Sequence, residues 1–252
     1  MSNDDGVLSA GVEALAAAMA PLGEVWVVAP EVQQSAASHA ISQHPPLRIR
    51  KVRERWYSVD GTPTDCAYLA IHHLMKDELP RMAVAGINHG PNLADDVIYS
   101  GTVAAAMEAS LLGVPAVAFS LVSKKPFDFA PAARFARALV AAALSDALPP
   151  RVLLNVNVPE GEPEGYAVTR LGRHSYANAV VENVDPRGRR YYWIGGNVYE
   201  HEDIPGSDCN AVLDARMVSV TPMRLDLTDE PLMERLASWK LDGFRRQPAE
   251  AG

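Results

Sequence analysis

Cysteine is scarce: the 252 residues hold only Cys66 and Cys209, with no CxxC pair. A disulfide framework is therefore excluded, and a reduced, cytoplasmic protein is expected. A basic surplus is absent too, since 23 Lys and Arg face 31 Asp and Glu, for a net charge of −8 and a pI near 5.4. A nucleic-acid duplex needs a basic stripe on its partner, so no such partner is expected. An acidic chain that handles phosphate needs a local positive device, either a metal ion or a helix N-terminus. No charged-then-apolar leader opens the chain. No run of about 18 apolar residues suggests a membrane span. Repeats and low-complexity stretches are absent as well.

What is present is ample apolar material, 48% of the chain, in a pattern that alternates between helix and strand. Ser9 is placed to cap a helix with the apolar face Val12, Leu15, Ala16, Met19, ended by Pro21 and Gly23. Residues 24–29 form a continuous apolar run, as in a strand buried on both faces. A long loop covers 30–46, and strands are expected at 47–52 and 56–59. Thr62 and Pro63 open a second helix, running to about Lys76. Further strands are read at 82–85, 116–120 and 152–158, and helices at 100–113 and 131–147. This order implies right-handed βαβ units and a doubly wound, mostly parallel α/β sheet of Rossmann-like type. Residues 1–159 are read as the core. Residues 160–215, rich in Gly, Pro and aromatics such as Tyr176, Tyr191, Tyr192, Trp193 and Tyr199, are read as a hairpin-rich oligomerisation arm. Residues 216–252 return as a strand (217–221), a last helix capped by Thr228, and a tail.

Polar residues collect where parallel strands end, which is where such sheets bind ligands. Asn3-Asp4-Asp5-Gly6 sets two carboxylates beside a glycine, and hard cations such as Mg²⁺ and Mn²⁺ take carboxylate and other oxygen ligands. Gln34-Ser35 and Ser38-His39 follow the strand at 24–29. Residues 86–92, GINHGPN, follow the strand at 82–85. Ser100-Gly101-Thr102 starts a helix, whose free N–H groups and positive dipole end suit a phosphate. Each of these is also an ordinary turn or cap when taken alone.

Together and in order they resemble the SurE family, the survival-protein nucleotidases. The resemblance rests on NDDG at 3–6, QS at 34–35 with HAI at 39–41, and GTPTDC at 61–66. It continues with GINHGPNL at 86–93, DVIYSGTVAAAME at 96–108, NVNVP at 155–159 and TRLGR at 169–173, and ends with SVTP at 219–222 and DLT at 226–228. It implies a metal-dependent phosphatase acting on nucleoside monophosphates, a 5′- or 5′/3′-nucleotidase, with one divalent cation per subunit, Mg²⁺ or Mn²⁺, in a homodimer or homotetramer. Carried over by position, the metal ligands fall on Asp4, Asp5, Ser35 and Asn88, and the phosphate-facing residues on Asn92, Ser100, Gly101 and Thr102. Asp4 or Asp5 could take a proton from the attacking water. His39, His89 and His174 are candidates for a general acid, whereas His72 and His73 read as a surface pair. Two other functions fit a carboxylate pair beside a phosphate site: a glycosyltransferase using a nucleotide sugar, and a nucleotide-binding protein without activity. The family pattern departs in three places. Ala94 stands where Gly is usual, and Ser207 where Thr is usual. The apolar strand of about five residues that precedes the NDDG motif has only Met1 and Ser2 here, so a working protein with such a segment upstream is expected.

Overall fold

The computed structural model describes residues 1–124, 126–175, 180–194, 200–241 and 244. Helix α1, Ala10–Met19, buries Val12, Leu15, Ala16 and Met19 as its spacing requires, and a short 3₁₀ turn with Gly23 ends it. Ser9 holds the cap position without capping; its hydroxyl lies 2.6 Å from Asn3 Nδ2, which donates to it. Strand β1, Val27–Pro30, is fully buried but starts three residues later than expected. Residues 24–26 have no ladder beside them, and the Trp26 carbonyl accepts from the Met1 amine instead. Strands β2, Ile49–Arg53, and β3, Trp56–Val59, form an antiparallel pair, and β3 runs parallel to β1. Helix α2, Pro63–Leu69, opens on a reciprocal capping box between Thr62 and Asp65 and widens into an i→i+5 turn at Ala70–Leu74. Both end short of Lys76.

Strand β4, Ala83–His89, is longer than the expected 82–85. The backbone shifts register after Ala85 and resumes pairing at Asn88 and His89, so the first four of the seven GINHGPN residues are strand and not loop. Helix α3, Gly101–Leu111, starts with Ser100 accepting from Val103 N–H. Strand β5, Ala116–Val122, helix α4, Ala130–Ser145, and strand β6, Val152–Pro159, follow. Strand β7, Tyr166–Val168, and strand β8, His174–Ser175, precede a hairpin of β9, Val180–Val184, and β10, Arg190–Ile194. Strand β11, Glu200–His201, pairs with β8. Strand β12, Val218–Arg224, returns antiparallel to β6, and helix α5, Glu230–Ala237, ends the described elements. Its cap is Asp229, not Thr228: the Asp229 carboxylate accepts from Leu232 N–H at 2.9 Å. Tyr176 and Tyr199 lie outside the described residues. Among the described residues no helix is long and apolar enough to cross a membrane.

The α/β class is as expected, with mostly parallel pairing around β4, β5 and β6. Alternate residues of β5 feed two layers: Val117, Phe119 and Leu121 pack toward α1 and α4, while Ala116 and Ala118 pack toward α3. The sheet itself is divided, at the place where only Met1 and Ser2 precede the NDDG motif. One sheet has the order β1-β3-β2 and the other β4-β5-β6-β12-β7. Only Met1 and Ser2 lie between β1 and β4. Val28 N–H donates to Met1 O at 2.9 Å, Ser2 N–H to Val84 O at 3.2 Å, and Gly86 N–H to Ser2 O at 2.9 Å. Beyond Met1 the gap continues as a slot of about 630 Å³ with Val25, Trp26, Ile71, Met82 and Ala105 on its walls. Burial in this slot lowers the Met1 ammonium from 8.0 to about 6.

Candidate metal and phosphate site

Asp4, Asp5, Ser35, Asn88, Asn92 and Ser100 all line one cavity of about 370 Å³ at the carboxyl ends of β1 and β4. Gly101 and Thr102 do not line it; they stand behind Asp4. Six of the eight residues singled out in the sequence therefore share one space.

Asp4 stands one residue beyond the Met1–Ser2 bridge, after Asn3, and is almost fully buried. Thr102 Oγ1 donates to its Oδ1 at 2.6 Å, and the N–H groups of Gly101 and Thr102 also point at the carboxylate. The positive end of α3 is thus turned on a protein carboxylate. A Cβ on Gly101 would lie 2.8 Å from Asp4 Cβ and 2.9 Å from Pro63 Cγ, so the missing side chain makes room for Asp4. Burial still raises the Asp4 pKa above 3.8, against these hydrogen bonds. Asp5 is raised as well, first by burial, with His89 lowering it and Asp4 raising it. Asp5 Oδ2 accepts from His89 N–H at 3.1 Å, and Oδ1 lies 3.6 Å from His89 Nδ1. Gly6, at φ +100°, turns the chain back into α1.

Ser35 sits on the loop after β1, which several contacts hold in place. Gln34 N–H donates to Asp4 O at 2.7 Å, Ser38 N–H and Oγ donate to the carbonyls of Tyr99 and Ile98, and His39 Nε2 meets Glu108 Oε2 at 2.8 Å. Ala36 and Ser38 adopt left-handed backbone within this loop, φ 58° and 55°. His39 is thereby tied to α3. Asn88 donates its amide nitrogen to Gly90 O, which leaves Oδ1 as its free acceptor.

Asn92 is gripped from beneath. Its N–H donates to Asn157 Oδ1 at 2.8 Å, and its carbonyl accepts from Asn155 and Asn157 Nδ2 at 2.8 and 2.9 Å. Its own Nδ2 donates to Ser120 Oγ at 2.7 Å. Sequence reasoning missed these supports. The signal was available: Asn-Val-Asn-Val places polar side chains at every second position of a strand read as buried, where each needs a partner. It also missed Asp208, whose carboxylate accepts from Ala94, Gly172 and Cys209 N–H. Ala94 has φ 49°, a left-handed backbone that explains why Gly is usual there. Ser207 keeps the function of a Thr hydroxyl, accepting from Asn210 N–H and donating to Asn210 Oδ1. His174 lies in β8 near Cys209, and His72 and His73 are exposed on the turn after α2, all outside the cavity lining.

Two carboxylates, a hydroxyl and an amide oxygen form an oxygen-only donor set, which fits a hard divalent cation. Fold and site together define an α/β protein with a carboxylate-based cavity at a parallel-sheet edge.

The comparisons place it further. The family model "Survival protein SurE" matches residues 1–178. A "5'-nucleotidase SurE" of Myxococcus xanthus is 68% identical over 98% of this chain and 94% of its own length. One of Anaeromyxobacter dehalogenans is 58% identical over 99% and 98%. The crystal structure of the SurE protein from Aquifex aeolicus matches with a TM-score of 0.83 at 38% identity, covering 93% of this chain and 96% of that one. The chain belongs to the survival protein SurE family. Such relatives do not favour the nucleotide-sugar alternative.

Proposed function

We propose that the protein is a metal-dependent 5′-nucleotidase that hydrolyses nucleoside monophosphates to nucleoside and phosphate. The observation that carries the reading is the meeting of Asp4, Asp5, Ser35 and Asn88 on one cavity, in a chain whose relatives bear the nucleotidase name. A phosphate dianion is repelled by two carboxylates, so the cavity accepts it only with a cation between them. Asp4, Asp5, Ser35 and Asn88 would hold one such ion, Mg²⁺ or Mn²⁺. The ion would supply Lewis acidity toward a phosphoryl oxygen and lower the pKa of a water.

The protein's own groups divide the remaining work. Asp4, fixed by Thr102 and the start of α3, is the anchored ligand. Asp5 is the proton acceptor, since fewer donors hold its carboxylate: among the described residues, His89 N–H is the donor to it. Ser100 Oγ accepts from Val103 N–H, which leaves its own proton to donate to a phosphoryl oxygen. Asn92 holds the edge of the same space. The hairpin β9–β10 exposes Val180, Val184, Tyr192, Trp193 and Ile194, and we assign this arm to packing on a second copy in a homo-oligomer.

Phosphate release from a panel of nucleoside monophosphates, with Mn²⁺ and with EDTA, tests the reading. Metal-dependent release that Asp5→Asn abolishes supports it. Equal release in EDTA, or full activity in Asp5→Asn at saturating Mn²⁺, overturns it.

A further inference from the structure

The cavity has a second chemistry that hydrolysis does not use. Opposite in character to its carboxylates, Pro91, Tyr99 and Phe127 contribute apolar and aromatic surface to the same space. Phe127 lies on the segment between β5 and α4 and is half-buried. Its ring lies on the His89 imidazole, with centroids 4.9 Å apart and planes at 30°. Phe129 closes the cluster, 5.0 Å from His89 and 5.7 Å from Phe127, and is itself buried in the core. His89 in turn is fixed by its bond to Asp5 and by α1, where Gly11 passes so close that a Cβ would stand 3.1 Å from His89 Nε2. Phe127 is therefore held at a set tilt, one imidazole away from the carboxylate that faces the phosphate. Nothing in the phosphate chemistry calls for a ring there.

A flat aromatic surface, already immobilised, suits a flat ligand because little rotamer entropy remains to be lost on binding. Given the nucleotidase reading on which this rests, the substrate has one flat part, its nucleobase. We propose that Phe127 is the nucleobase platform, against which the base stacks while its phosphate reaches Ser100 and the cation that Asp4 and Asp5 would hold. Stacking needs only a π-face, so the platform accepts all bases and favours the larger purines. Selectivity of this kind comes from ring area and not from hydrogen-bond readout. Tyr99, exposed on the turn before Ser100, forms another part of the rim.

The test compares two phosphomonoesters that share phosphate and sugar and differ in the base, AMP and ribose 5-phosphate. The wild type should show kcat/KM about tenfold higher for AMP, carried by KM, in line with one stacked base. Phe127→Leu should lower the AMP to ribose 5-phosphate ratio about tenfold, and Phe127→Trp should keep it. Equal loss on both substrates would mean that the ring acts only through His89 and Asp5, and overturns the proposal. A wild-type ratio near one overturns it too, whether or not the leucine variant folds. Failure of the wild type to turn over either ester defeats the nucleotidase reading instead. Calorimetry of AMP and of ribose 5-phosphate with Mn²⁺ then decides on Phe127 alone, with tighter AMP binding that is lost in Phe127→Leu supporting it and equal affinities sinking it.

Discussion

Replacing Thr102 by Val separates two roles for the start of α3. The sequence suggested that Ser100, Gly101 and Thr102 face the substrate phosphate. In the structure Thr102 Oγ1 is buried and donates to Asp4 at 2.6 Å. Valine nearly keeps the shape and removes that donor. A hydrogen bond to a charged group is worth about 1.5–3 kcal/mol. Losing a partner that orients a ligating group typically costs about 10–100-fold in metal affinity or activity. The two scales agree, since tenfold is about 1.4 kcal/mol. Calorimetric titration with Mn²⁺ should therefore show affinity falling by about 10–100-fold. In EDTA the melting temperature should drop by about 3–12 °C, at roughly 2–4 °C per kcal/mol for a chain of this size. The KM for AMP at saturating Mn²⁺ should change little. Unchanged Mn²⁺ affinity with a raised KM would show that Thr102 serves the phosphate and that the reasoning from Asp4 is wrong.

Four further outcomes are expected. Burial raises the pKa of Asp4 and Asp5 above 3.8, so in EDTA these groups favour the fold below that value and their contribution is lost as pH rises through their folded values; melting curves in EDTA should fall with rising pH, less steeply in Asp5→Asn, and an identical slope would refute this. A Cβ on Gly11 would lie 2.0 Å from Ile87 O, so Gly11→Ala should cost about 1–3 kcal/mol or more by overpacking, and an unchanged denaturant midpoint would contradict that contact. Sedimentation at micromolar concentration should give a dimer or tetramer, and a monomer would remove the case for the β9–β10 arm. Five apolar residues fused ahead of Met1 should enter the slot between β1 and β4, each buried side chain worth about 1.5–3 kcal/mol before the cost of ordering it; a higher melting temperature is expected, and no change would show that the slot does not take a strand.

The ligand cavity was legible because its parts are short, polar and interrupt apolar strands. Ser35 and Asn88 follow or end such a run, Asp4 and Asp5 stand out as adjacent carboxylates before Gly6, and the fold needed only to gather them. The partner of a helix N-terminus was not legible, since Gly and Thr serve a phosphate and a buried carboxylate equally well. Nor was Phe127, which stands in an irregular segment with no periodicity, where only the neighbouring rings reveal its tilt. The later start of β1 and the longer β4 share one physical cause: strand length follows the neighbour available for pairing, not the apolar run alone.

The divided sheet gives the cation a second office. Ser35 hangs from the β1 half, Asn88 ends a strand of the β4 half, and Asp4 and Asp5 extend from the two-residue bridge between them. An ion bound by all four would rivet the halves together at the one place where few backbone bonds do so. Without it the joint rests on the Met1–Ser2 bridge and on the packing of α1 and α2 across it. With it, binding to the joined form alone adds stability that grows with the logarithm of ion concentration. Hydrogen exchange of β1 and β4 should then slow together as Mn²⁺ is added, while the far strand β7 keeps its own rate, so that the metal concentration sets how often the joint between the two sheets opens.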